Sequence, residues 1–159
     1  MNIDELRRID ARHRKDKSTL FRISTPDNKA SVEQLTEVER ALGVRLPVTY
    51  RDFLSEFGGG TFGLCTVFSA DPASEWYLPR KHREALRYLP GGLLAFSDDF
   101  SGGYYVFQVA NACAQEKVVY WNTDGGLVPT MFSNVLEFVA RYAYRATVAR
   151  SAQTALKPS

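Results

Sequence analysis

The chain has 159 residues, a mass of 17.9 kDa, 45% hydrophobic and 24% charged residues, and a formal net charge of +2. That balance suits one globular domain burying roughly 70% of the surface its unfolded chain would expose. It excludes a disordered chain, a collagen-like chain and a disulfide-dense mini-protein, and no apolar run approaches the roughly 18 residues of a membrane span.

The charge is unevenly spread. Residues 1–17 hold six Lys/Arg against four Asp/Glu, and residues 141–159 hold four basic residues and no acid. Residues 18–140 hold ten basic and fourteen acidic residues, so the folded middle is acidic and the sequence pI of about 8.6 comes from the ends. A nucleic-acid binder concentrates Lys/Arg on its folded face, so no nucleic-acid partner is expected. The first residues, Met1 to Arg8, contain carboxylates and no apolar stretch, unlike a secretory leader. Cys65 and Cys113 are expected as two free thiols of a reducing compartment, which gives a cytoplasmic protein.

Residues 2–16, with Ile3, Leu6, Ile9 and His13 on one side, predict a charged peripheral helix within residues 1–17. Residues 18–30 are rich in turn formers and predict a loop with a short strand at Leu20–Ile23. Ser31-Val32-Glu33-Gln34 fits a capping box. It opens a helix whose Leu35, Val38 and Leu42 share a face and whose end falls at Gly43. Pro47 suits the first position of a second helix, in which Tyr50, Phe53, Leu54 and Phe57 form one broad aromatic face before Gly58-Gly59-Gly60 stops it.

Short runs rich in Val, Tyr, Phe and Leu follow at Leu64–Phe68, Leu93–Phe96, Tyr104–Val109 and Lys117–Trp121, with Leu127-Val128 after a Gly-rich turn. They predict an antiparallel meander. A short helix is expected over Arg80–Leu89, with His82, Ala85, Leu86 and Leu89 as its apolar side. A last amphipathic helix is expected from Ser133 or Asn134 to about Arg150, burying Val135, Phe138, Val139, Tyr142 and Ala146, with residues 151–159 as a flexible tail. Helices at both ends of a meander give an α+β class, a single domain over residues 18–150 behind the N-terminal helix.

Most catalytic patterns fail on spacing. Gly58-Gly59-Gly60-Thr61-Phe62-Gly63 matches G-x-G-x-x-G, but it follows a helix and enters a strand, the reverse of a dinucleotide site. His82-Arg83-Glu84 resembles half of a zinc deaminase motif, yet no P-C-x-x-C pair follows it. Two histidines and two separated cysteines offer no metal cage, so no metal and no cofactor are expected. Both cysteines sit in or beside apolar runs, and no Gly-x-Ser-x-Gly elbow exists. Arg80, Lys81, Arg83 and Arg87 beside Trp76 and Tyr77 are read as a solvated face rather than a nucleic-acid grip. Asp98 and Asp99, adjacent on a strand end, point to opposite faces and are read as turn formers or partner contacts, not as an acid–base pair.

The segment Val38-Glu39-Arg40-Ala41-Leu42-Gly43-Val44-Arg45-Leu46-Pro47-Val48-Thr49-Tyr50-Arg51-Asp52-Phe53-Leu54, followed by Gly58-Gly59-Gly60, resembles the signature of the SUKH (Smi–Knr) superfamily. Leu94–Asp99, Gly102–Phe107, Val118–Gly126 and Phe132–Val139 match its later strands and its closing helix, with a wider spacing before Glu137-Phe138. The resemblance spans residues 31–146 and leaves out the N-terminal helix and the Trp76–Leu89 insert.

It implies an α+β domain with a mostly antiparallel, curved sheet flanked by helices, and a non-catalytic role. Bacterial members are similar to immunity proteins that bind the C-terminal domain of a cognate polymorphic toxin, commonly a nuclease, deaminase or ADP-ribosyltransferase. Fungal relatives act as regulators through protein contacts, which leaves a regulatory scaffold for a housekeeping protein as the alternative. The acidic loops carrying Asp71, Glu75, Asp98, Asp99 and Asp124, with Trp76 or Tyr77 as an aromatic anchor, are the expected surface for a basic toxin domain.

Overall fold

The computed structural model describes residues 1–16 and 24–146. Its helices are α1 (Ile3–Lys15), α2 (Val32–Leu42), α3 (Val48–Phe57), α4 (Leu78–Ala85) and α5 (Val135–Ala143). Strands β1 (Thr25–Pro26), β2 (Gly60–Phe62) and β3 (Cys65–Val67) form one antiparallel sheet in that order. Strands β4 (Leu93–Asp98), β5 (Gly103–Ala110), β6 (Cys113–Asn122) and β7 (Gly126–Pro129) form a four-stranded meander. This is a single α+β domain. The expected strand at Leu20–Ile23 lies outside the described residues, as does the tail 151–159.

The α2–α3 corner follows from its sequence. Ser31 Oγ accepts the Gln34 N–H at 3.1 Å, and the Gln34 side chain accepts the Ser31 N–H at 3.1 Å, closing the capping box. Gly43, at φ +66°, ends α2 in the left-handed conformation. Pro47 caps α3 from outside instead of occupying its first turn, and Tyr50 and Arg51 donate to its carbonyl. Pro47 has no side-chain donor or acceptor, so the cap comes from another element: Glu116 on β6 accepts the Thr49 N–H (3.2 Å) and hydroxyl (2.6 Å).

Tyr50, Phe53 and Leu54 are fully buried. Tyr50 packs on Phe96 and Phe107 at 5.9 and 5.5 Å between ring centroids, and Phe53 on Phe62 at 5.2 Å. Leu42 and Phe57 are half-buried at the margin of the same core.

Three sequence expectations are corrected. The run at Leu64–Phe68 does not start the meander; β3 folds back on β2. The glycines decide this: a Cβ at Gly58 would lie 2.2 Å from the Asp27 carbonyl oxygen, and Gly58, Gly59 and Gly60 all have positive φ. The two sheets meet where the Phe68 N–H donates to the Phe96 carbonyl at 2.8 Å.

The helix expected at Arg80–Leu89 runs instead from Leu78, with Pro79 in its first turn, and Leu86 is 49% exposed while Ala85 and Leu89 are buried. The last helix stops at Ala143. There the buried Tyr144 donates its hydroxyl to Asp10 of α1 at 2.7 Å, and Arg145 turns left-handed at φ +52°. Residues 147–150 lie outside the described residues. Leu6 of α1 is fully buried against the domain, and α1 packs on α3 and α5.

Candidate protein-interaction surface

One end of the meander collects the β4–β5 loop, the β6–β7 turn and the segment before α4. The β4–β5 loop is built by its two aspartates. Asp98 Oδ1 accepts the Phe100 N–H at 2.7 Å, while Asp99 Oδ1 accepts the Ser101 and Gly103 N–H groups, both at 2.8 Å. Asp99 Oδ2 accepts the Tyr120 hydroxyl at 2.5 Å. Burial alone would raise the Asp99 carboxyl, but the bonds from Tyr120, Ser101 and Gly103 outweigh it and hold the group below its ordinary range. A Cβ at Gly103 would lie 2.1 Å from the Tyr120 oxygen, so glycine is required for this lock.

The loop geometry holds Phe100 at φ +60° with 64% of its surface exposed, and its ring meets Trp76 edge-to-face at 5.7 Å. Lys81 of α4 lies 5.3 Å from the centroid of the Trp76 ring. Beside Phe100, a cleft of about 400 Å³ is lined by Tyr88, Asp98, Phe100, Gly102, Tyr104 and Thr123.

The seven residues expected at the surface therefore separate. Trp76, Asp98 and Asp99 share this end, and Asp124 follows Thr123 of the cleft on the exposed β6–β7 turn. Glu75 is exposed next to Trp76. Tyr77 is half-buried at the start of α4, its carbonyl accepting the Lys81 N–H at 3.0 Å. Asp71 is a correction, because it is 9% exposed and its carboxylate is consumed by the Ala73 N–H and the Asn28 side chain, both at 3.0 Å. It builds a turn instead of presenting a charge.

Asp99 is a partial correction of the same kind, since three donors occupy it. Phe100, Tyr88 and Tyr104 were missed. An aromatic residue following two aspartates in a turn-forming run was the available signal for Phe100; Tyr88 and Tyr104 meet it only in three dimensions.

Elsewhere the chemistry is spent on structure. His82 Nδ1 accepts the Ala95 N–H at 3.2 Å, so the ring is neutral there, and burial lowers its pKa. Burial pushes the Cys65 thiol up to about 12, which keeps it protonated. Among the described residues no group of three His, Cys, Asp or Glu is placed to hold a metal ion, and no helix is long and apolar enough to cross a membrane. A second cavity of about 230 Å³, between α1 and the end of α3, carries both signs of charge, including Asp10, Lys29 and Glu56.

These features define a small α+β domain with one acidic and aromatic end. The family model described as SMI1-KNR4 cell-wall (SUKH_6) matches residues 32–139. The chain belongs to that family, within the SUKH superfamily. Among solved structures, it is similar to the crystal structure of a protein from Pseudomonas syringae pv. tomato, with a TM-score of 0.63 and 20% identity, over 77% of this chain and 88% of that one. That likeness is one of fold. No curated protein matches the chain.

The family signature has a physical reading here. Glu39 accepts the Leu46 N–H at 2.8 Å and pairs with Arg51, so one carboxylate fixes the turn between α2 and α3. Tyr50 reaches through the core to donate its hydroxyl to the Phe68 carbonyl at 2.6 Å.

Proposed function

We propose that this protein is an immunity protein. It binds a cognate polymorphic-toxin domain, a nuclease, deaminase or ADP-ribosyltransferase, and blocks its active site in the cytoplasm without catalysis of its own. The carrying observation is the meander end, where Asp98 and the exposed Phe100 line one cleft, the half-buried Trp76 meets the Phe100 ring, and Asp124 follows Thr123 of that cleft on the exposed turn. An acidic rim around aromatic anchors suits a domain whose own active site is basic, as the site of an enzyme acting on nucleic acid is. The family assignment supports the same reading.

The test is co-expression with a toxin-like protein encoded beside this gene, followed by co-purification and binding kinetics. Exposed charges act mainly on association, so Asp124→Lys slows binding and weakens its salt dependence. Trp76→Ala speeds dissociation, by about 2 kcal/mol or more for a true anchor. If both variants stay folded and bind the toxin within about 0.5 kcal/mol of the parent, the surface lies elsewhere. Capture of a housekeeping protein from a neighbourhood without a toxin supports the regulatory scaffold instead.

A further inference from the structure

The cleft beside Phe100 differs from an ordinary solvated turn in what it leaves unused. Asp98 spends Oδ1 on the Phe100 N–H, and among the described residues its Oδ2 accepts no hydrogen bond and the residue makes no ion pair. Tyr88, Phe100 and Tyr104 bring three aromatic residues to the cleft that Asp98 also lines, with Gly102 and Thr123 completing the wall. Tyr88 and Phe100 are 59% and 64% exposed, large values for aromatic side chains.

The environment is negative. The Tyr104 hydroxyl is pushed above its ordinary range by burial first and then by Asp98, Tyr88, Glu84 and Asp99. Lys81 is occupied by Glu84 at 3.0 Å, and Arg83 and Arg87 are not among the residues lining the cleft.

A flat, weakly hydrated cation that stacks on rings and gives paired N–H donors to a carboxylate fits such a space. Guanidinium has that chemistry, whereas an ammonium is compact and strongly hydrated. We infer that the cleft formed by Tyr88, Asp98, Phe100 and Tyr104 is a receptor for one arginine side chain presented by the protein partner. The guanidinium stacks among the rings and takes the free oxygen of Asp98. Phe100 is held left-handed by its bond to Asp98, so the ring wall and the carboxylate are positioned by the same short turn. This deepens the proposed function, resting on the reading that a basic protein meets this end of the molecule.

The experiment uses the full-length, isotope-labelled chain titrated with N-acetyl-arginine methylamide and followed by amide NMR. The lysine analogue and the neutral citrulline analogue run in parallel. A single side chain binds weakly, with a Kd on the order of 10 mM. Saturable shifts are expected at the Phe100, Gly102 and Thr123 amides, at least tenfold weaker with citrulline and about threefold weaker with lysine. Asp98→Asn keeps an oxygen for the Phe100 N–H while removing the charge, and should weaken arginine binding at least fivefold with an unchanged spectrum elsewhere.

No saturable shift up to about 100 mM probe overturns the inference. So does citrulline binding as well as arginine, lysine binding as well or better, or an Asp98→Asn variant that binds like the parent. Because no toxin is involved, arginine binding without any captured toxin leaves the cleft standing and fells the immunity reading. A captured toxin without arginine binding does the reverse.

Discussion

The α2–α3 corner and the meander end both use carboxylates to hold backbone turns, and they finish in opposite states. At the corner the buried and half-buried anchors are spent inside the protein. Glu39 takes the Leu46 N–H and Arg51, and Glu116 takes two donors from Thr49. The Tyr50 hydroxyl takes the Phe68 carbonyl. At the meander end Asp99 is spent in the same way, but its neighbour Asp98 keeps an oxygen free, and Phe100 and Tyr88 keep their rings exposed. A saturated network stabilises the fold and offers a partner nothing; an unsaturated one costs little stability and leaves chemistry at the surface. The corner is the frame and the end is the surface.

This contrast makes graded predictions. Phe53, buried beneath the corner and stacked on Phe57 at 5.3 Å, is expected to cost about 3–5 kcal/mol when replaced by Ala, read as a lower denaturation midpoint at constant slope. A loss below about 1 kcal/mol would place the core elsewhere. Glu39→Ala should cost about 2–3 kcal/mol, because it strands the Leu46 N–H and leaves Arg51 without its partner. Equal stability of Glu39→Ala and the parent in urea would refute the idea that the signature glutamate is a structural brace.

Tyr50→Phe removes only an oxygen, yet it orphans the buried Phe68 carbonyl and should cost about 1–2 kcal/mol. Acid gives a finer test. His82 accepts the Ala95 N–H and its folded pKa lies below the ordinary 6.5, so the unfolded chain binds the proton first. Its contribution to stability is complete above about pH 6.5 and is lost as pH falls through the lower folded value. A His82→Gln variant should flatten that part of the profile, and an unchanged slope would remove His82 from the account. Smallest of all, Asp98→Asn should shift stability by no more than about 0.5 kcal/mol, since its loop bond survives. A larger loss would mean that Asp98 belongs to the frame.

Much of this was legible in the sequence because it is local. The capping box at Ser31, the left-handed Gly43, the apolar spacing of Tyr50, Phe53 and Leu54, and the strand-forming composition of the meander runs are set by neighbours within a few residues. The Val38–Leu54 segment with its glycine stop and the later strands also carried the superfamily resemblance that the match over residues 32–139 bears out. Tertiary structure decided what depends on partners far along the chain. Leu64–Phe68 had the composition of a meander strand, but the approach of Gly58 to Asp27 sent it into a second sheet. The final helix had the pattern to continue to Arg150, but Tyr144 was captured by Asp10, 134 residues away. Asp71, Asp98 and Asp99 look alike in sequence as acids in loops. Only three-dimensional contacts decide that Asn28 claims the first, that Tyr120 claims the third, and that Asp98 keeps an oxygen for something else. A carboxylate's availability depends on the donors that reach it, and those donors come from elements distant in sequence.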